Sequence, residues 1–172
     1  ARDCGIENVS IDLIFGLPIH IGRSWEDDLR RVIDLDVPHI SLYGLTVEPG
    51  THLGQEVRKG REPAVDEDQY RKEFLMAAEA LTASGYRHYE VSNFARPGFE
   101  SRHNAAYWSG DPYLGLGNSA HSFAPPVRRW NLHSWEHYQA AVGASKSPEA
   151  DREVLDEAAS RLERVWLGLR TI

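Results

Sequence analysis

One cysteine stands in 172 residues. That scarcity excludes an internal disulfide, a zinc site built from several thiolates and a complete iron–sulfur ligand set. Long hydrophobic runs are missing too: none approaches the roughly 18 apolar residues that span a bilayer, and no signal peptide opens the chain. Positive charge is short, with 19 Lys and Arg against 26 Asp and Glu for a formal charge of −7. A dedicated nucleic-acid surface is therefore disfavoured, because phosphate affinity comes from clustered cations. An initiating methionine is absent as well, which is expected of a processed chain or of a piece of something longer. What is present is a globular composition, 41% hydrophobic and 26% charged, long enough to bury a sizeable core.

Residues 8–16, Asn-Val-Ser-Ile-Asp-Leu-Ile-Phe-Gly, predict a buried strand covered on both faces. Ser24, with Asp27 three residues on, predicts a capped helix whose apolar face is Trp25, Leu29, Val32 and Ile33. His39 to Leu45 read as a second strand, and residues 46–64 as a long loop rich in Gly, Pro and charge. Asp66 and Gln69 open a second helix facing inward through Tyr70, Phe74, Ala77, Ala78 and Leu81, which Gly85 stops. Tyr86 to Phe94 make a third strand. The order β-α-β-α-β predicts an α/β fold with parallel strands and outer helices, its ligands gathered beyond the C-terminal strand ends. Beyond residue 95 the pattern changes to a short strand at about 127–131, a helix from about Ser134, and a last helix from Ser147-Pro148 with Leu155, Ala158, Leu162, Val165, Trp166 and Leu169 on one face. The expected division is 1–125 and 126–172, the second part being a connector and helical extension.

Asp12 is anomalous in such a strand, because desolvating an unpaired carboxylate costs several kcal/mol. It shares its face with Ser10 and Ile14, and reads either as an internally bonded carboxylate or as one that faces a ligand. Glu90, Ser92 and Asn93 crowd the end of the third strand, where Glu90 and Ser92 are expected to project together into a cavity. His103-Asn104-Ala105-Ala106-Tyr107-Trp108 places an imidazole, a carboxamide and two large rings within two helical turns. Such a cluster suits a metal and a flat apolar cofactor, or else a packed loop before a capped helix. His133 and His137 bracket Glu136 in the lettering of one class of zinc hydrolases, a short pattern that a solvated surface pair also explains.

Read together, several runs resemble one family. These are Asp12-Leu-Ile-Phe-Gly-Leu-Pro18, His39-Ile-Ser-Leu-Tyr43, Leu45-Thr-Val-Glu-Pro-Gly-Thr51, Tyr89-Glu-Val-Ser-Asn-Phe-Ala95, His103-Asn-Ala-Ala-Tyr-Trp108, Tyr113-Leu-Gly-Leu-Gly-Asn-Ser-Ala-His121 and Leu167-Gly-Leu-Arg-Thr171. The series resembles the oxygen-independent coproporphyrinogen III oxidase-like radical S-adenosylmethionine proteins, and most closely their HemW-type haem chaperone branch. The resemblance implies the C-terminal part of a partial (β/α)6 barrel. It implies S-adenosylmethionine at Asp12 and Ile14, with Thr46 near the adenosyl group, and haem at His103, Asn104, Tyr107 and Trp108. Haem and recipient haem proteins are the implied partners, in the cytoplasm, with peripheral membrane association left open and no nucleic acid. Family members hold a 4Fe–4S cluster through an N-terminal Cys-x-x-x-Cys-x-x-Cys that this chain lacks. The cluster ligands are thus expected outside it, together with a C-terminal domain, and the chain alone is expected to be inactive. The alternative is the oxidase itself, which decarboxylates coproporphyrinogen by radical chemistry.

Overall fold

A computed structural model describes residues 2–171, which fall into two compact units, one reaching to Glu100 and the other running from Ser101 to Thr171. The first is α/β. Strand β1 (Ser10–Phe15) lies parallel to β2 (His39–Gly44), with Ser10 opposite His39 and Phe15 opposite Gly44. Helix α1 (Trp25–Asp34) makes the crossover. It starts where Ser24 accepts the Asp27 amide, and three acids occupy its first turn, against the positive end of the helix dipole.

The segment expected as an unbroken loop contains a short helix, α2 (His52–Arg58), because Thr51 caps it by accepting the Gly54 amide at 3.1 Å. Helix α3 (Glu67–Ala83) begins at Asp66, whose carboxylate accepts the amides of Asp68 and Gln69. It ends against Gly85, at φ +86°, a backbone region that costs glycine nothing.

The single third strand is replaced by a hairpin, β3 (Arg87–Glu90) and β4 (Asn93–Ala95), and this corrects the expectation of parallel strands throughout. β4 lies between β2 and β3 and runs antiparallel to both, giving the order β1-β2-β4-β3. Ser92 makes the reversal, its carbonyl accepting the Leu42 amide at 2.7 Å. A bulge between His88 and Glu90 absorbs the spare residue.

Helices α1 and α3 cover one face of this sheet. Trp25, Leu29 and Val32 of α1 meet Ala77 and Leu81 of α3 over Ile40, Leu42 and Phe94 of the strands. Trp25 Nε1 donates to the Glu73 carbonyl at 2.8 Å, and the Phe15 and Tyr70 rings stand 4.5 Å apart. Buried Tyr86 gives its hydroxyl proton to the Val37 carbonyl at 2.7 Å.

The second unit holds α4 (Arg102–Ser109), an antiparallel sheet of β5 (His121–Ala124), β6 (Val127–Asn131) and β7 (Glu149–Val154), and helices α5 (Trp135–Gly143) and α6 (Glu157–Gly168). It is therefore more than a helical extension, and residue 125 falls in the β5–β6 turn. The expected start of the last helix at Ser147-Pro148 is also corrected. Glu149–Val154 pair with β6, and α6 begins only at Asp156, which accepts the Ala159 amide at 2.8 Å. Strand pairing overrides local helix propensity there. Leu155 is buried, whereas Leu162, Val165, Trp166 and Leu169, expected to face a core, are 60–70% exposed.

Leu81 is fully buried and Leu75, on the same helix, is 53% exposed. In the full-length protein, urea unfolding followed by tryptophan fluorescence should show Leu81→Ala losing about 2–5 kcal/mol and Leu75→Ala about 0.5 kcal/mol or less.

Candidate functional site

The sheet face away from α1 and α3 is polar. Asp12 opposes Ser41, Ser41 opposes Asn93, and Asn93 opposes Glu90. Residues paired directly across strands project to the same face. These four form one row over all four strands, a span of about 14 Å at the usual strand spacing. Glu90, Asn93 and Ser41 are buried, with 2%, 3% and 4% of their surfaces exposed. Glu90 Oε1 accepts the Ser92 amide at 3.1 Å, while Asn93 Oδ1 is buried with no hydrogen-bond donor.

Two neighbouring rows frame this one. Towards the C-terminal strand ends, half-exposed Ile14 sits opposite half-exposed Tyr43. On the other side Ser10 is opposite His39, with Ser10 Oγ 2.8 Å from His39 Nδ1 and the Tyr89 hydroxyl 2.8 Å from His39 Nε2. Burial pushes the His39 pKa below its ordinary value and outweighs the opposing pull of the Asp12 and Glu90 charges. The imidazole is therefore neutral near pH 7. It has one donor and one acceptor nitrogen, so of Ser10 and Tyr89 one donates and the other accepts.

Two expectations change here. Asp12 is exposed, because the polar face of β1 is open and only the other face is packed; its carboxylate is thus not a desolvated one. Ser92 does not project beside Glu90 along one strand, since it forms the hairpin turn and reaches Glu90 through its backbone. Thr46 is exposed just after β2, its hydroxyl 3.5 Å from the Gly44 carbonyl. Beyond the ends of β1 and β2, residues including Leu17, Ile19, Leu45, Val47, Leu53 and Val65 line a mainly apolar cavity of about 480 Å³.

Sequence reasoning placed Ser10 on the face of Asp12 but missed His39, Ser41 and Tyr89 as members of this cluster. A signal existed in the alternation of His39, Ser41 and Tyr43 with Ile40 and Leu42, the period of a strand with one polar face.

In the second unit, α4 carries the His103–Trp108 motif. Ser101 caps it by accepting the Asn104 amide at 3.2 Å. His103 and Tyr107 share a helix face, with ring centroids 4.8 Å apart and nearly perpendicular planes. His103 is exposed, and Tyr107 continues onto Tyr113 at 4.5 Å. Asn104 and Trp108 occupy the neighbouring face. Trp108 lies under the Arg170 guanidinium at 4.8 Å and lines a cavity of about 150 Å³ with Phe123, Leu155 and Leu167. Its Nε1 is buried without an acceptor.

The zinc-hydrolase pattern does not assemble. His133 precedes the Ser134 cap and turns its Nδ1 to Ser119 Oγ at 2.6 Å, while Glu136 accepts the Ser134 hydroxyl. Among the described residues no group of three His, Cys, Asp or Glu side chains could hold a metal ion.

No protein-family model matches the chain. Over 99% of its length it superposes on Escherichia coli coproporphyrinogen III oxidase, a radical SAM enzyme, with a TM-score of 0.75 at 22% identity, covering 42% of that chain. This likeness shows the fold. Haem chaperone HemW of Lactococcus lactis is 37% identical over 171 residues, 98% of this chain and 44% of that protein. HemW of Bacillus subtilis is 35% identical over 99% of this chain and 45% of that protein. A mouse protein, radical S-adenosyl methionine domain-containing protein 1, mitochondrial, is 42% identical over 68% of this chain and 27% of its own length. The chain thus belongs to the same family as these HemW and radical S-adenosyl methionine domain-containing proteins. It is a homologue of the proteins named haem chaperone HemW and spans less than half their length.

The His39 environment carries a pH signature. Its folded pKa lies below the unfolded value of 6.5, so on acidification through that value the unfolded state binds a proton that the folded state refuses. Its contribution is complete above the unfolded pKa and is lost as pH falls below it. Unfolding free energies of the full-length protein, measured from about pH 7 down to about pH 5, should fall less steeply in His39→Gln than in the wild type.

Proposed function

We propose that the protein containing this chain is a HemW-type haem chaperone, which binds haem and passes it to recipient haem proteins in the cytoplasm. What carries this reading is the likeness, over nearly the whole chain, to proteins named haem chaperone HemW. The exposed imidazole of His103, edge-on to Tyr107, suits it chemically: a neutral imidazole can ligate haem iron, and a phenol ring can cover porphyrin surface. Asn104 and Trp108 complete the motif on the adjoining helix face. Tyr113, which touches Tyr107, also walls a recess of about 580 Å³ with Leu114, Phe123, Ala124, Val127 and Arg129. That is within the usual range of about 300–1,000 Å³ for ligand sites, and an arginine there can pair with a propionate.

On the same reading, the first unit is the later part of a partial (β/α)6 barrel. Asp12, Ile14 and Thr46 hold S-adenosylmethionine at its strand ends, with Glu90, Ser92 and Asn93 as further ligand-facing groups. The row of acceptors fits a ligand that brings amino and hydroxyl donors. A 4Fe–4S cluster does not fit this chain's residues, because Cys4 is its one thiol and is exposed; its ligands would lie elsewhere in the protein. No described helix is long and apolar enough to cross a membrane.

Coproporphyrinogen decarboxylation is the competing reading, and the fold likeness alone supports it. Haem titration of the full-length protein separates the two. The His103→Ala variant should lose at least about tenfold in haem affinity and shift the Soret band. Unchanged affinity and spectrum would remove His103 as a ligand, and turnover of coproporphyrinogen III by the wild type would reverse the assignment.

A further inference from the structure

One face of the sheet in the second unit sets two cations side by side. Ser122 of β5 stands opposite Arg129 of β6, and Arg129 stands opposite Arg152 of β7. Two positions along each strand, Ala124, Val127 and Val154 make an apolar row on the same face. Like charges directly opposed across strands are destabilising, and here one carboxylate answers two guanidiniums. Arg152 gives its Nε proton to Glu149 at 2.6 Å, while the Arg129 side chain has no ion pair or hydrogen bond among the described residues. The opposite face is matched, since Arg128 pairs with both Glu153 and Glu163.

The unmatched charge borders a cavity. Arg129 and Ser122 line the recess of about 580 Å³, together with Leu114, Ala124 and Val127. Ser122, 6% exposed, accepts the Gly115 amide at 3.0 Å and keeps its hydroxyl proton to donate. Leu114 and Val154 are 67% and 65% exposed, so the apolar row lies open. A ligand that satisfies both rows has a flat apolar body and an edge that carries carboxylates, which guanidinium forks bind in pairs of hydrogen bonds.

We propose that Arg129 and Arg152 form a clamp for the two propionates of haem, so that the protein selects a porphyrin whose carboxylate edge is free. The proposal rests on the haem-chaperone reading and adds which part of the ligand is read and by which residues. Two carboxylates on one edge of the ligand give each guanidinium an anion and cancel the repulsion across β6 and β7. Ala124, Val127 and Leu114 then receive the edge of the macrocycle. Tyr113, which lines the same recess, touches Tyr107 of the motif helix.

The test is titration of the full-length protein with haem and with haem dimethyl ester, whose propionates carry no charge, in one detergent-containing buffer. The wild type should bind haem about tenfold more tightly than the diester, and added salt should shrink the difference, because the clamp is open to water. Arg129→Gln combined with Arg152→Gln should bring the two affinities to within about threefold. His103→Ala should weaken haem and diester alike. The double variant removes a like-charge pair, so its melting temperature should not fall, and the lost preference then reports binding. Equal affinities in the wild type overturn the proposal, and so does an undiminished preference in the folded double variant. If that variant fails to fold, Arg129→Glu, which gives Arg152 an opposite charge, must abolish the preference, and an unchanged preference overturns the clamp. A wild type that binds neither compound is a different result, since it removes the haem reading itself.

Discussion

The antiparallel insertion of β4 between β2 and β3 is the constraint on which the first unit depends. It aligns Asn93 with Ser41 on one side and with Glu90 on the other, and so carries the polar row started by Asp12 across the whole sheet. The Leu42 amide bonded to the Ser92 carbonyl pins the hairpin turn to β2. Side chains alternate along a strand with a period of two, so a slip of one residue would turn Phe94 out and Asn93 into the helical layer. The full burial of Phe94 among Ile40, Leu81 and the aromatic cluster resists that slip. Hydrophobic packing on one face thereby holds polar register on the other.

Such a sheet has unequal faces. The covered one is paved by α1 and α3, and the glycines ending β1 and β2 leave room for the Tyr70 ring. A Cβ at Gly44 would stand 1.6 Å from the Tyr70 hydroxyl, and one at Gly16 would stand 2.6 Å from its ring. The polar face keeps its groups in place through hydrogen bonds instead. His39 shows how these terms compete, because two carboxylates favour its charged form and desolvation still prevails.

The second unit is organised differently. Its sheet is antiparallel in the order β5-β6-β7, with α5 inserted between β6 and β7, and α4 contacts α6 through the Trp108 side of the helix. The six-residue motif is consequently divided: His103 and Tyr107 look outward, while Trp108 joins the packing beneath Arg170. Helical geometry requires this, since positions 103 and 107 share a face and positions 104 and 108 lie about 100° round from it. Groups adjacent in sequence therefore have separate surroundings. The imidazole is reachable from solvent and the indole is not freely so.

Much of the local structure was legible in the sequence. The Ser24 and Asp66 caps, the Gly85 stop, the inward faces of α1 and α3 and the strand at 127–131 all follow from interactions within a few residues. The family motifs were equally readable, because they are short and contiguous. What only the tertiary structure decided was pairing. Whether Tyr86–Phe94 is one strand or two, whether Glu149–Val154 is helix or strand, and which residues stand beside Asp12 depend on partners distant in the chain. Periodicity reports which side chains share a face but not what covers that face, so Asp12 read as buried and proved exposed. For the same reason His39, at the start of a strand, gave no sign in sequence that it would link Ser10 to Tyr89.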